Sequence, residues 1–553
     1  MSLSGIVLAA SALLWLSYRW YGRLLARWTA LSPTRTTPAH EFDDGVDYVP
    51  AKAPFLLAQH FSAIAAAGPI VGPILAGLAF GWLPALLWIV LGAIFVGALH
   101  DFSSLVGSVR HRARSIVEIV REHLGPTAHL FFLGFVWLSL GYVMTAFTDL
   151  TSASFVDPVD GGGVASASVW YLGLALAMGA CLRLLRMRLW MATLLFLPLL
   201  AVVIWLAPSA PLVLPTLGPL SAKGLWNGLI LAYCLLASVL PVWLLLQPRG
   251  YLGGFFLYVV LVSGVVGLLL GGDPIRYPAF LGWRSQQGQP LFPLLFVTIA
   301  CGACSGFHGI VSSGTTSRQI DREPDCRLVG YGGMLLEGLV AVIALATVML
   351  LVPGDAVGQQ SPDRIYASGL SQIIARFGVH QDFARAFVLL AFATFIFDTL
   401  DVATRLGRYV FQELTGWRGP LGRIAATLCT VALPAACVSL TVHDASGHVV
   451  PVWKLFWTVF GTSNQLLAAL TLLTLTVWFR RTGRPWLMSL LPAVFVLTMT
   501  VWSLGLLVRP WMGTWVRGQP TMDGIAVAAL VLLALAGVIV WEAKKAFPLR
   551  SVR

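Results

Sequence analysis

The sequence predicts an all-α polytopic membrane protein of about fifteen spanning helices, and three observations predict it. Hydrophobic residues fill 58% of its 553 positions and charged residues only 11%, against the roughly 25% charged that a water-facing surface requires. Apolar stretches of about 20 residues, enough to cross a bilayer, recur along the whole chain. The basic residues between them alternate, rich after each odd span and sparse after each even one, as the positive-inside rule demands.

Candidate spans begin near residues 3, 55, 82, 126, 168, 188, 223, 252, 291, 330, 383, 422, 450, 486 and 520. The first has no basic residue before it and Arg19, Arg23 and Arg27 after it. That is the reverse of a signal peptide's charge order, so it is expected to remain as a spanning helix. The basic loops carry Arg19 to Arg35, Arg110 to Arg114, Arg183 to Arg188, Arg249, Arg318 to Arg327, Arg405 to Arg418, Arg480 to Arg484, and Lys544 to Arg550. The loop at 149–167 carries three aspartates and no Lys or Arg. The expected orientation is N-terminus outside and C-terminus cytoplasmic. The formal charge of +12 is read as a topology signal, because the basic residues sit in short inter-span runs; no nucleic-acid partner is expected.

Seven cysteines lie mostly in apolar stretches, without the paired spacing of a disulfide framework. Cys301 and Cys304 form one C-x-x-C with no second pair, and read as small packing residues. No HExxH, Walker A or nucleophile-elbow sequence occurs, so neither a metal, a cofactor nor an enzymatic or ATP-driven activity is expected.

Two spans are not plain apolar helices. The second contains His60 and then Gly68-Pro69 and Gly72-Pro73; the ninth runs from Cys301 through Ser305, Gly306, His308, Ser312, Ser313 and Gly314 to Thr315 and Thr316. Proline and clustered glycines interrupt the backbone ladder, and such breaks persist at membrane depth only where protein or a polar cavity satisfies the freed groups. The two segments run in opposite directions, the sequence pointer to an inverted-repeat transporter with its site at the repeat interface. Close packing by small residues is the competing explanation.

The runs Thr37 to Pro50, His60 to Pro73, His100-Asp101-Phe102, Gln247-Pro248-Arg249, Ser305 to His308, Ser312 to Thr316 and Asn464 to Ala468 resemble the carbon starvation protein A family over about residues 37 to 475. The resemblance implies a secondary transporter of the bacterial inner membrane with a LeuT-like inverted-repeat core, plus extra helices, importing peptides or a small carboxylate such as pyruvate. It implies coupling to a proton or Na⁺ and a role in carbon starvation, with peptides the preferred substrate. It divides the chain into 1–36, an N-terminal helix and basic loop; 37–355, the region with the broken helices; and 356–553, the C-terminal helices. The chain departs from the family pattern at Gly250, where an acidic residue is expected, and at Asp398, where a hydroxyl residue is common. The alternative is an intramembrane sensor that binds such a solute without moving it.

Ionisable groups within spans are costly and are therefore functional candidates. For ion or proton coupling these are Asp101, Glu337, Asp398 and Asp401. Asp101 has Arg110 as a possible structural partner, and Asp401 has Arg405 four residues on along one helix face. For substrate they are His60, Gly68, Pro69, Gly72, Ser305, Gly306, His308, Ser312, Ser313, Thr315, Thr316, Asn464 and Gln465. Histidines and the amides of a broken helix suit a carboxylate, and a buried acid suits a peptide's amino terminus.

Overall fold

A computed structural model describes residues 2–44, 48–218, 221–241, 243–417, 419–443, 449–517 and 523–547. Gly45 and Asp47 of the first resemblance motif, and Arg418 and Arg550 of the basic loops, lie outside the described residues.

The chain is a succession of helices: α1 (Leu3–Arg19), α2 (Tyr21–Trp28), α3 (Pro38–Glu41), α4 (Ala53–Ile64), α5 (Gly68–Phe80), α6 (Trp82–Gly92), α7 (Ala98–Arg110), α8 (Ile116–Leu124), α9 (Pro126–Phe155), α10 (Gly161–Arg183) and α11 (Leu189–Leu206). There follow α12 (Ala222–Val239), α13 (Leu246–Gly271), α14 (Leu291–Thr298), α15 (Gly306–Gly314), α16 (Gly333–Met349), α17 (Pro362–Ala375), α18 (Gln381–Thr415), α19 (Gly419–Val438), α20 (Val452–Arg481), α21 (Leu487–Val516) and α22 (Gly524–Ala546). Polar residues set several starts: the side chains of Ser2, Ser221 and Asp523 accept backbone N–H bonds from the first turns of α1, α12 and α22.

Among the described residues, 13 helices are long and apolar enough to cross a membrane, or 14 when α4 and α5, bent by 51°, count as one span. This corrects the expectation of about fifteen. The remaining segment is α14 and α15, of 8 and 9 residues, too short singly because non-helical backbone at 299–305 divides them. The α18 and α20 helices are buried along most of their length, whereas α11 leaves Leu194 and Trp205 68% and 67% exposed. Such apolar faces are stable only against lipid.

Contacts sort the loops into two ends. At the basic end Glu323 accepts from Arg35 (2.6 Å), Arg110 (2.8 Å) and the Ser32 N–H (2.7 Å). Arg484 donates there to the Trp28 carbonyl (3.2 Å). At the opposite end the Leu3 N–H meets the Asp273 carbonyl (3.3 Å), Arg376 pairs with Asp273 (2.7 Å) and Arg385 with Asp160 (3.2 Å), and Asp157 pairs with Arg364. In these contacts, loops expected on the same face meet one another.

Candidate functional site

The two broken segments are antiparallel. The Ala51 N–H, just before α4, bonds the Gln319 carbonyl, just beyond α15; the Leu281 N–H, preceding α14, bonds the Phe80 carbonyl at the end of α5. Their breaks pack on each other. A Cβ on Gly68 would lie 2.3 Å from Cys301 Sγ, and one on Gly72 would lie 2.4 Å from the Thr298 carbonyl oxygen. Only glycine admits this approach: small residues permit the packing, and what they pack is a pair of breaks.

Asn464 holds the second break open. Its Oδ1 accepts the Phe307 N–H (2.9 Å), one of the free amides of the first turn of α15, and its Nδ2 donates to Ser305 Oγ (3.0 Å) and Cys301 Sγ (3.3 Å). Gln465 Nε2 donates to the Phe296 carbonyl (2.6 Å) in the last turn of α14. One helix, α20, thus serves backbone groups on both sides of the interruption, as buried amides and carbonyls require. A Cβ on Gly306 would approach the Asn464 carbonyl oxygen to 2.4 Å, so α15 lies against α20.

Beside the breaks runs a buried row of titratable groups. His100 Nδ1 is 2.8 Å from Asp101 Oδ1, and Asp101 Oδ2 is 2.8 Å from His308 Nδ1. His308 Nε2 lies 3.2 Å from Glu337 Oε2, close but not aligned as a hydrogen bond. All four side chains are at most 1% exposed. Each acid arrives on a helix with a π-helical turn: Ala93–Gly97 before Asp101 and Arg327–Gly332 before Glu337, an irregularity often found at functional positions. These turns touch through the Tyr331 hydroxyl, which donates to the Ile94 carbonyl (3.4 Å), and a Cβ on Gly330 would lie 3.0 Å from Phe102 Cα, just beyond Asp101. His60, one helix away, shares a 2.9 Å hydrogen bond with Thr316 Oγ1.

Several polar atoms here have no hydrogen-bond partner among the described residues: both Glu337 oxygens, His60 Nε2, His100 Nε2 and Ser312 Oγ. Buried polar atoms are nearly always paired, so their concentration at one place marks it chemically.

A second buried cluster centres on Arg249 in α13. Its Nε is 3.2 Å from Asp398 Oδ1 and its Nη1 bonds both Asp401 and Tyr233. Tyr233 donates to Asp401 Oδ2 (2.7 Å), and Ser62 Oγ, two residues beyond His60, donates to Asp398 Oδ2 (3.0 Å). Gly253 makes room: a Cβ there would lie 2.8 Å from Asp398 Oδ2.

The structure therefore gathers His60, Thr316, Asp101, His308, Glu337, Ser305 and Asn464 around the breaks and sets Asp398 and Asp401 apart. Ser313 and Thr315 point elsewhere. Ser313 Oγ accepts the Ile116 N–H (3.0 Å), tying α15 to α8, and Thr315 is exposed with a bond to its own helix. Three partnerships differ from expectation. Arg249, expected in a basic loop, is 1% exposed because α13 starts before it and carries it inward. Asp401 pairs with Arg249, while Arg405 reaches the Ala237 and Leu240 carbonyls that end α12 (2.8 and 2.9 Å). Asp101 pairs with two histidines, and Arg110 with Glu323.

The family model for the carbon starvation protein CstA matches residues 3–365 and 354–503. The chain belongs to this family. It is 31% identical to the peptide transporter CstA of Escherichia coli K12, over 90% of this chain and 80% of that protein. It is also 31% identical to the peptide transporter CstA of Bacillus subtilis 168, over 98% and 96%. The pyruvate/proton symporter BtsT of E. coli K12 is equally similar at 31%, over 91% and 81%. Among solved structures, a manganese transporter of Eremococcus coleocola is 14% identical with a TM-score of 0.47, covering 91% of this chain and 99% of that one; a likeness at this level carries no weight in assigning the fold. CstA-family membership makes the chain a transporter rather than an enzyme, and a multi-pass membrane protein.

Proposed function

We propose that this CstA-family chain is a proton-coupled secondary transporter that imports peptides or a small carboxylate, with its substrate site at the crossed breaks of α4–α5 and α14–α15. The observation that carries the proposal is the row Asp101–His308–Glu337 beside those breaks, with both Glu337 oxygens unpartnered among the described residues. With both acids ionised and His308 neutral the row would hold two negative charges, and among the described residues neither acid has a Lys or Arg within ion-pair range. Low dielectric makes that state costly, so the row stores a proton that it can exchange.

Substrate recognition follows from the same geometry. The first-turn amides of α5 and α15 favour a carboxylate, with His60 Nε2 an available ring nitrogen. A peptide's ammonium group would meet Glu337. The names of the relatives, peptide transporter and pyruvate/proton symporter, span both substrates. The antiparallel pair of broken segments supports an inverted-repeat, LeuT-like core. The basic end is assigned to the cytoplasm, which places the N-terminus outside.

Reconstituted into proteoliposomes, the protein should accumulate dipeptide or pyruvate against a gradient when the lumen is alkaline and stop when a protonophore is added. Glu337→Gln should abolish the pH-driven component while leaving exchange of preloaded pyruvate, which has no ammonium group to meet Glu337. Substrate binding with no flux under any gradient would overturn the transporter reading in favour of a sensor.

A further inference from the structure

Away from the breaks, at the basic end, the chain leaves α7, turns and enters the short amphipathic helix α8. The turn is tight: Arg112 and Ala113 both take positive φ (61° and 55°), and Ser115 caps α8 through the Glu118 N–H. Ile116, Ile119 and Val120 face inward and Glu118 and Glu122 outward, so the helix lies on the bundle against α9, α20 and α22. This excursion returns its last turn to its own beginning. His111, the residue that ends α7, meets His123 with their Nε2 atoms 2.9 Å apart, and Glu122 Oε1 lies 3.8 Å from His111 Nε2. The donor atoms of the three residues all lie within 4.8 Å of one another.

We propose that His111, Glu122 and His123 form a binding site for a borderline divalent transition cation, with Zn²⁺ the best fit. Two imidazoles and one carboxylate suit such an ion, whereas Mg²⁺ and Ca²⁺ take oxygen ligands. Nitrogen and oxygen donors about 2.0–2.1 Å from a tetrahedral ion stand about 3.3 Å from each other, and the observed 2.9 and 3.8 Å bracket that spacing. The surroundings orient two of the ligands. His111 Nδ1 donates to the Gly107 carbonyl (2.6 Å), which leaves a lone pair on Nε2, the arrangement usual for metal-bound imidazoles. Arg114 Nη1 approaches Glu122 at Oε2 (3.5 Å), leaving Oε1 for the ion. Trp478 of α20 packs edge-on to His111, ring centroids 5.4 Å apart. Solvent supplies a fourth ligand at exposed Glu122. An ion here would staple the α7–α8 turn and fix α8 beneath the bundle. The site is independent of the transport reading.

The competing arrangement is a plain hydrogen bond from His123 Nε2–H to His111 Nε2, and experiment separates the two. Purified full-length protein in detergent, with any affinity tag removed and chelator dialysed away, is titrated with ZnCl₂ by calorimetry. The proposal predicts one ion per chain. His111→Ala and His123→Ala should each weaken binding by more than roughly 100-fold, beyond what loss of an outer-shell partner causes, while His40→Ala leaves it unchanged. Because Glu122 is exposed, Glu122→Gln keeps the fold and should still weaken binding. On unmutated protein, Co²⁺ should give visible bands of tetrahedral intensity that Zn²⁺ bleaches. Absence of stoichiometric Zn²⁺ binding, or binding and Co²⁺ spectra that persist in the His111→Ala/His123→Ala double variant, would overturn it.

Discussion

Glu337 is the residue at which burial and chemistry diverge most sharply. It is fully buried in α16, its two oxygens have no hydrogen-bond partner among the described residues, and His308 Nε2 lies 3.2 Å from Oε2. Glu337→Gln preserves shape and removes the exchangeable proton, so pH-driven uptake should fall at least about tenfold, a loss of ~1.4 kcal/mol in the driven step. The thermal midpoint should change little or rise. A large fall in stability with unchanged uptake would mean that Glu337 is structural. Arg249 makes the opposite case. Removing it leaves Asp398 and Asp401 buried without their cation, and such a loss costs about 3–5 kcal/mol. Arg249→Met should therefore unfold readily in a denaturant series, and Arg249→Met with Asp401→Asn should recover part of the loss. Sequence showed Asp101, His308 and Glu337 as individual charges on apolar helices, since any ionisable residue in a span stands out. It did not show that they adjoin, because they come from α7, α15 and α16 and only tertiary packing aligns them. Arg249 was misplaced for a related reason. In a list of loops an arginine beside a proline reads as a topology signal, and nothing local says that α13 has already begun. The pairing of His111 with His123 was equally hidden, since the twelve-residue interval between them matches no metal-binding motif.

At the scale of elements, the paired breaks were legible because glycine and proline act locally. The α4–α5 and α14–α15 interruptions fall at Ala65–Ala67 and at 299–305, beside the Gly-Pro steps and the Gly-Ser-rich run. Their mutual contact depends on Gly68 and Gly72, where any side chain would strike Cys301 or the Thr298 carbonyl. Gly68→Ala would meet Cys301 Cβ (2.4 Å) as well as its Sγ, and Gly72→Ala the Thr298 carbonyl oxygen (2.4 Å), positions that the backbone fixes, so both substitutions should be damaging. Overpacking of this kind costs about 1–3 kcal/mol, to be read as a drop in thermal midpoint with a parallel drop in flux. Equal tolerance of both substitutions would show that the breaks separate easily. The expected ninth span became two short helices for the reason that made it conspicuous: residues polar and small enough to line a site are too weak as helix formers to carry the backbone straight across.

Across the whole molecule, several of the basic loops meet at one end. Arg35, Arg110 and the Ser32 N–H converge on Glu323. Burial raises the Glu323 carboxyl, but the bonds from Arg110, Ser32 and Arg35 outweigh it and hold the group below its ordinary value. A carboxyl lowered in the folded state stabilises it above the unfolded value of about 4.3 and loses that contribution as pH falls through the folded value. Glu323→Gln should accordingly lower the melting temperature at pH 7, and the gap from the unmutated protein should close in stronger acid. A gap that persists below about pH 3 would show that the loss was one of packing rather than charge. The central claim, that the crossed breaks and the Asp101–His308–Glu337 row move a proton with the solute, is tested most directly in proteoliposomes containing a pH-sensitive dye. Adding dipeptide or pyruvate outside, with no imposed gradient, should acidify the lumen with the unmutated protein and leave it unchanged with Glu337→Gln. Solute entry without lumenal acidification in the unmutated protein would contradict the account.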